Sequence, residues 1–158
     1  MSTRLETYRL DSLPAILPFS SAVRVGNMIH VSGQIGHLPG KLELVPGGLV
    51  PEAKQALGYM REALTAAGSS LELVIKCTVY FADINDFKAF NAVYADFFGS
   101  HRPARTGVAV AGLALGARVE LDCVARRAWQ SHTPGKHASA NGVSKTPSWS
   151  TMNRFVEF

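Results

Sequence analysis

The chain is poor in cysteine, in long apolar runs and in clustered charge, and each shortage removes a class of protein. Only Cys77 and Cys123 are present among 158 residues, each inside an apolar strand-like run. That excludes a disulfide framework and fits reduced, buried thiols in a cytoplasmic protein. No apolar run approaches the length of a membrane span, and charges interrupt Leu5, Tyr8 and Leu10 at the start, so the continuous core of a secretion signal is missing. His30, His37, His101, His132 and His137 show no metal-ligand spacing. The net charge of +4 comes from dispersed Lys and Arg, with Arg126-Arg127 the one close pair, which is not a nucleic-acid footprint.

What is present, 47% apolar and 18% charged, suffices for one domain with a real core. The periodic segments fall within residues 1–127, the expected domain. Residues 128–158 are rich in Ser, Thr, Gly, Lys and Asn without a sustained period. They read as an irregular tail, or as one docked through Trp129, Trp149, Phe155 and Phe158.

Residues 21–24 and 28–35 are β-prone and flank Gly26-Asn27, a hairpin turn because both residues tolerate positive φ. Pro39-Gly40 and Gly47-Gly48 mark a loop, with room for a short edge strand at residues 41–45. Pro51 suits the first turn of a helix, and Ala53, Leu57, Met60, Leu64 and Ala67 keep helical spacing up to Gly68. Residues 73–81 read as a strand; residues 83–86 then cap a second helix with a stripe of Phe87, Phe90, Tyr94 and Phe97, ended by Gly99. Residues 106–110 and 118–125 are two further strands.

The order ββαβαββ predicts an α+β domain: a mixed sheet with parallel pairing across the helical crossovers, antiparallel terminal hairpins and both helices on one face. Val108 and Val110, together with Val119, Leu121 and Cys123, alternate in the last strands. The uncovered face is therefore expected to be substantially apolar, which predicts a homo-oligomer.

Arg105 heads the first of these strands and Glu120 lies on the next. A guanidinium pairs bidentately with a carboxylate and a glutamate can hold or move a proton, so together they suit a small organic acid. Taken alone, Arg105 reads as a structural ion pair or a solvated strand-end arginine, and Glu120 as the solvent-facing member of its strand, with Asp122 on the same face able to serve instead. Cys77 and Cys123 read as core.

The runs Ala22-Val23-Arg24-Val25-Gly26-Asn27, Val31-Ser32-Gly33-Gln34-Ile35, Pro103-Ala104-Arg105-Thr106 and Val119-Glu120-Leu121, in that order around two helices, resemble the RidA/YjgF family over residues 14–127. The resemblance implies a chorismate-mutase-like fold and a homotrimer whose sheets pack into a central barrel, with active sites in clefts between subunits. It also implies hydrolysis of reactive enamine and imine acids to 2-keto acids and ammonia, with no metal and no cofactor. Position by position, Arg105 matches the arginine that grips the substrate carboxylate and Glu120 the glutamate that orients or activates water. Ser32, Gly33 and Asn91 match pocket residues. Phe19 stands where many members have tyrosine, Thr106 replaces a common serine and Gly107 a frequent cysteine; each is counted as substrate-binding. Two other readings stay open: a sensor that binds a small carboxylate in the same cleft without turnover, and, more weakly, a ribonuclease or translation inhibitor.

Overall fold

The computed structural model describes residues 4–128, so the tail expected from residue 128 onward lies, Ala128 apart, outside the described residues. Six strands form one sheet: β1 (Leu5–Tyr8), β2 (Ala22–Val25), β3 (Met28–Ile35), β4 (Val74–Phe81), β5 (Ala104–Ala109) and β6 (Val119–Arg126). Two helices, α1 (Leu49–Ala66) and α2 (Phe87–Phe98), pack on one face. The strand order is β1-β2-β3-β6-β4-β5.

That order corrects two sequence expectations. The last two strands do not pair with each other: β6 inserts between β3 and β4, antiparallel to both, and β5 becomes an edge strand parallel to β4. Among the described strands, the crossover through α2 therefore gives the one parallel pair. β1 is not among the sequence expectations, because a four-residue run with one charge, Glu6, carries little periodic signal; it pairs with β2 through Leu5 to Val25 and Tyr8 to Ala22. In the loop, only an isolated bridge between His37 and Leu44 forms where an edge strand was expected.

The helices follow their sequence cues. Pro51 and Glu52 sit in the first turn of α1, where a missing N–H costs nothing and a negative charge meets the helix dipole. Ala53, Ala56, Leu57, Met60, Ala63 and Leu64 are fully buried along one side. The helix stops where Gly68, at φ 82°, donates to Thr65 O and Ser69 donates to Leu64 O, a Schellman closure that needs the left-handed glycine. In α2 the buried stripe is Phe90, Tyr94 and Phe98; Phe97, expected in it, packs at the rim under the Arg61 guanidinium.

The core lies between these helices and the sheet. Ile29, Val31, Val79, Phe81, Val119, Leu121 and Cys123 point into it. Each large side chain so buried contributes roughly 1.5–3 kcal/mol of transfer free energy. β6, at the centre, supplies alternate residues to the two faces. Its apolar set, Val119, Leu121 and Cys123, is spent on the helix side. The uncovered face is therefore more polar than expected, with Glu120 opposite Tyr80, Asp122 opposite Thr78 and Val124 opposite Lys76.

Candidate active site

Strand β3 contains one more residue than its partner between Val31, which pairs with Cys123, and Gln34, which pairs with Leu121. This bulge carries Ser32 and Gly33. Bulges bend a strand and re-aim its side chains, which suits the rim of a site. Ser32 holds the bulge, its Oγ donating to Ser20 O at 2.7 Å and its N–H to Ser21 O at 3.0 Å. Gly33 lies directly beneath Glu120: a methyl group placed on it would overlap Glu120 Oε1 and stand 3.0 Å from Cδ.

Glu120 and Gly33 share a cavity of about 400 Å³ with Leu13, Pro14, Leu17, Phe19, Leu42 and Leu115. Burial, with the Asp122 carboxylate second, raises the Glu120 carboxyl above its ordinary range. Asp122 itself accepts a hydrogen bond from the Tyr80 hydroxyl at 3.1 Å. Glu120 is thus the carboxyl facing the cavity, and Asp122 is its electrostatic neighbour.

Arg105 is built differently. Its Nη2 donates to Asn91 Oδ1 at 2.7 Å, and its guanidinium lies 4.7 Å from the Tyr94 ring centroid and 5.2 Å from that of Phe87. Those three residues come from α2, one and two turns apart, and fix the fork from three sides. No carboxylate among the described residues pairs with it; Glu6 and Asp86 are taken up by Arg24 and Arg118. Arg105 and Asn91 line a second cavity of about 280 Å³ with Tyr94, Phe98, His101 and Arg102. Burial, and next the adjacent Cys77 thiol, drives the Tyr94 hydroxyl strongly upward, so it stays protonated. Burial also raises both thiols, which keeps Cys77 and Cys123 inert.

The two cavities lie on opposite faces of the sheet. Arg105 is in register with Cys77, which is buried under the helices, whereas Glu120 is in register with Tyr80 on the uncovered side. One chain therefore presents a guanidinium half and a carboxyl half that do not meet. Of the other sequence candidates, Phe19 and Gly33 join the Glu120 half and Asn91 joins the Arg105 half. Thr106 lies on the uncovered face, where Lys76 Nζ donates to its Oγ1 at 2.6 Å. Gly107 packs against Phe87, whose Cε2 would be 3.0 Å from an added methyl. Phe87 and Tyr94 have the spacing of a core stripe and His37 lacks metal-ligand spacing, so their place at the cavities depends on tertiary contacts.

A model of the endoribonuclease L-PSP family, the RidA/YjgF family, matches residues 10–127. The chain belongs to this family. A RidA/YjgF relative from Capra hircus, 2-iminobutanoate/2-iminopropanoate deaminase, is 51% identical over 111 residues, 70% of this chain and 81% of that protein. The crystal structure of yeast Mmf1 superposes with a TM-score of 0.75 at 33% identity, covering 79% of this chain and all of the other. E. coli TdcF with bound serine gives 0.71 at 34% identity over 78% of this chain and 99% of its own. These neighbours agree with the mixed sheet and two helices described above. Among the described residues no helix is long and apolar enough to cross a membrane, and no cluster of His, Cys, Asp and Glu is arranged to hold a metal.

Proposed function

We propose that this protein is an enamine/imine deaminase that hydrolyses reactive 2-imino acids and their 2-enamine tautomers to 2-keto acids and ammonia. The observation that carries the reading is Arg105: a half-buried guanidinium, oriented by Asn91 between two aromatic rings, facing a cavity without an acidic partner among the described residues. Such a fork is built for an incoming carboxylate. The identity to deaminases at about half of the 111 aligned positions supports the same chemistry, and serine, a small amino acid carrying a carboxylate, is bound in the structural neighbour TdcF.

In this reading Arg105 of one copy grips the substrate carboxylate while Glu120 of the adjoining copy faces the imine. Water adds to the electrophilic C2, the π pair moves to nitrogen, which takes a proton, and the carbinolamine then loses ammonia as its hydroxyl proton departs. Glu120, with its raised proton affinity, serves the proton movements. Phe19 and Gly33 wall the substrate, Asn91 orients Arg105, Ser32 holds the bulge, Gly107 follows Arg105 on the same face of β5, and Thr106 faces the adjoining copy from the uncovered side. The separation of the halves across the sheet favours assembly of several copies, a homotrimer in the cytoplasm, with each site closed by two of them.

The test is ammonia and 2-keto acid release from a 2-imino acid generated in situ. Arg105→Ala removes an anion contact worth about 2–5 kcal/mol, so kcat/KM should fall at least thirtyfold with the fold intact. An unchanged rate rejects the assignment. Binding of a 2-keto acid by the unsubstituted chain without any turnover decides for the sensor instead.

A further inference from the structure

The Glu120 cavity is walled mainly by hydrocarbon, so its few polar side chains carry weight. Three of its lining residues have one: Gln34, His37 and Glu120. The Gln34 amide is already committed, its Nε2 donating to Ser32 O at 2.9 Å. His37 is nine-tenths buried, and its orientation is set from two sides. Its Nδ1 lies 2.8 Å from Leu38 O, and its ring stacks on Tyr59 at 4.6 Å between centroids and 26° between planes. Tyr59 also donates its hydroxyl to His37 O at 2.9 Å.

A carbonyl oxygen only accepts, so Nδ1 must carry the proton. In the neutral ring, Nε2 then holds the lone pair. No group among the described residues bonds to Nε2. A histidine with its tautomer fixed by a backbone carbonyl, its ring clamped by an aromatic partner and its basic nitrogen left over, in the same cavity as a carboxyl, has the form of an oriented general base.

We propose that His37 is a further catalytic residue, its Nε2 taking the proton from the water that adds to the imine carbon. This rests on the deaminase reading and divides its proton traffic between two groups. Glu120 delivers a proton to the imine nitrogen. As the water oxygen bonds to C2 and the π pair settles on nitrogen, a water proton passes to Nε2. The imidazolium then protonates the amine of the carbinolamine, the hydroxyl proton goes to the Glu120 carboxylate, and the C–N bond breaks to release ammonia. Both side chains return to their starting states, and one water is consumed per ammonia formed.

The experiment compares His37→Ala and His37→Gln with the unsubstituted protein in the imino acid assay, with and without added imidazole. General base catalysis is commonly worth about 10²–10⁴ in rate, so kcat should fall on the order of a hundredfold in both variants with KM little changed. Free imidazole should restore part of the rate in His37→Ala, where the vacated ring space admits it. A role confined to packing would not respond to imidazole. Should His37→Ala fail to fold, the kcat of His37→Gln, which keeps the side-chain bulk, decides. Near-parental kcat in a folded variant, a rise in KM alone, or no imidazole rescue in folded His37→Ala overturns the proposal. These results leave the deaminase reading standing, whereas absence of turnover in the unsubstituted protein removes both.

Discussion

Replacing Gly33 by alanine tests whether the placement of the Glu120 carboxyl matters more than its presence. The added methyl would overlap Oε1 and approach Cδ to 3.0 Å, so the carboxyl must retreat by on the order of 1 Å to reach ordinary contact. Gly33 is exposed and has no positive φ, and the atoms it meets belong to the end of a flexible side chain. The fold should therefore tolerate the change at a cost of about 1 kcal/mol or less. A displacement of that size in a catalytic group can cost about a hundredfold in rate. Steady-state ammonia release should thus show kcat reduced tenfold to a hundredfold, while thermal unfolding followed by circular dichroism moves by only a few degrees. A rate within twofold of the parent would refute the reasoning, because Glu120 would then be working from a position this geometry does not require.

Gly36→Ala should act in the opposite sense. Its methyl would lie 2.5 Å from the carbonyl oxygen and 2.8 Å from the carbonyl carbon of Glu52, backbone that cannot step aside without moving α1. Overpacking of this kind costs about 1–3 kcal/mol, visible as a drop of several degrees in Tm. Glu120→Gln bears on pH: because the folded-state pKa of Glu120 is raised by burial and by Asp122, ionising it opposes folding as pH rises through that value. The variant should unfold at a higher temperature than the parent at neutral pH. The gap should close as pH falls below the ordinary carboxylate range, and a pH-independent difference would contradict the assignment. It should also lose most of its turnover.

Much of this architecture was legible because its signals are local. The spacing of Leu57, Met60 and Leu64, the Pro51 start and the Gly68 stop belong to α1 whatever surrounds it, and Arg105 and Glu120 stood out by residue type within recognisable runs. Strand neighbours are a long-range property. Nothing within residues 119–126 states that they will insert between β3 and β4, and from that insertion it follows that Glu120 and Arg105 occupy opposite faces. The aromatic clamp is hidden from the sequence for a related reason. Phe87 and Tyr94 have the spacing of core residues, and only the return of β5 beneath α2 brings a guanidinium against their rings. His37 gives no sequence signal beyond being a histidine after a glycine; its fixed tautomer comes from a loop carbonyl and its ring orientation from stacking on a tyrosine of α1.

The bulge in β3 bears on how this segment can change. Side chains along a strand alternate between faces, so one surplus residue inverts the assignment of everything after it. With it, Val31 and Gln34, three positions apart, are both buried, and each is matched to a buried residue of β6, Cys123 and Leu121. A deletion at Ser32 or Gly33 would leave the apolar stretch ahead of it undisturbed while turning the following residues over by half a turn. The segment is thus divided into a conservative front half, bound to the core, and a rear half whose facing is set by a count of one.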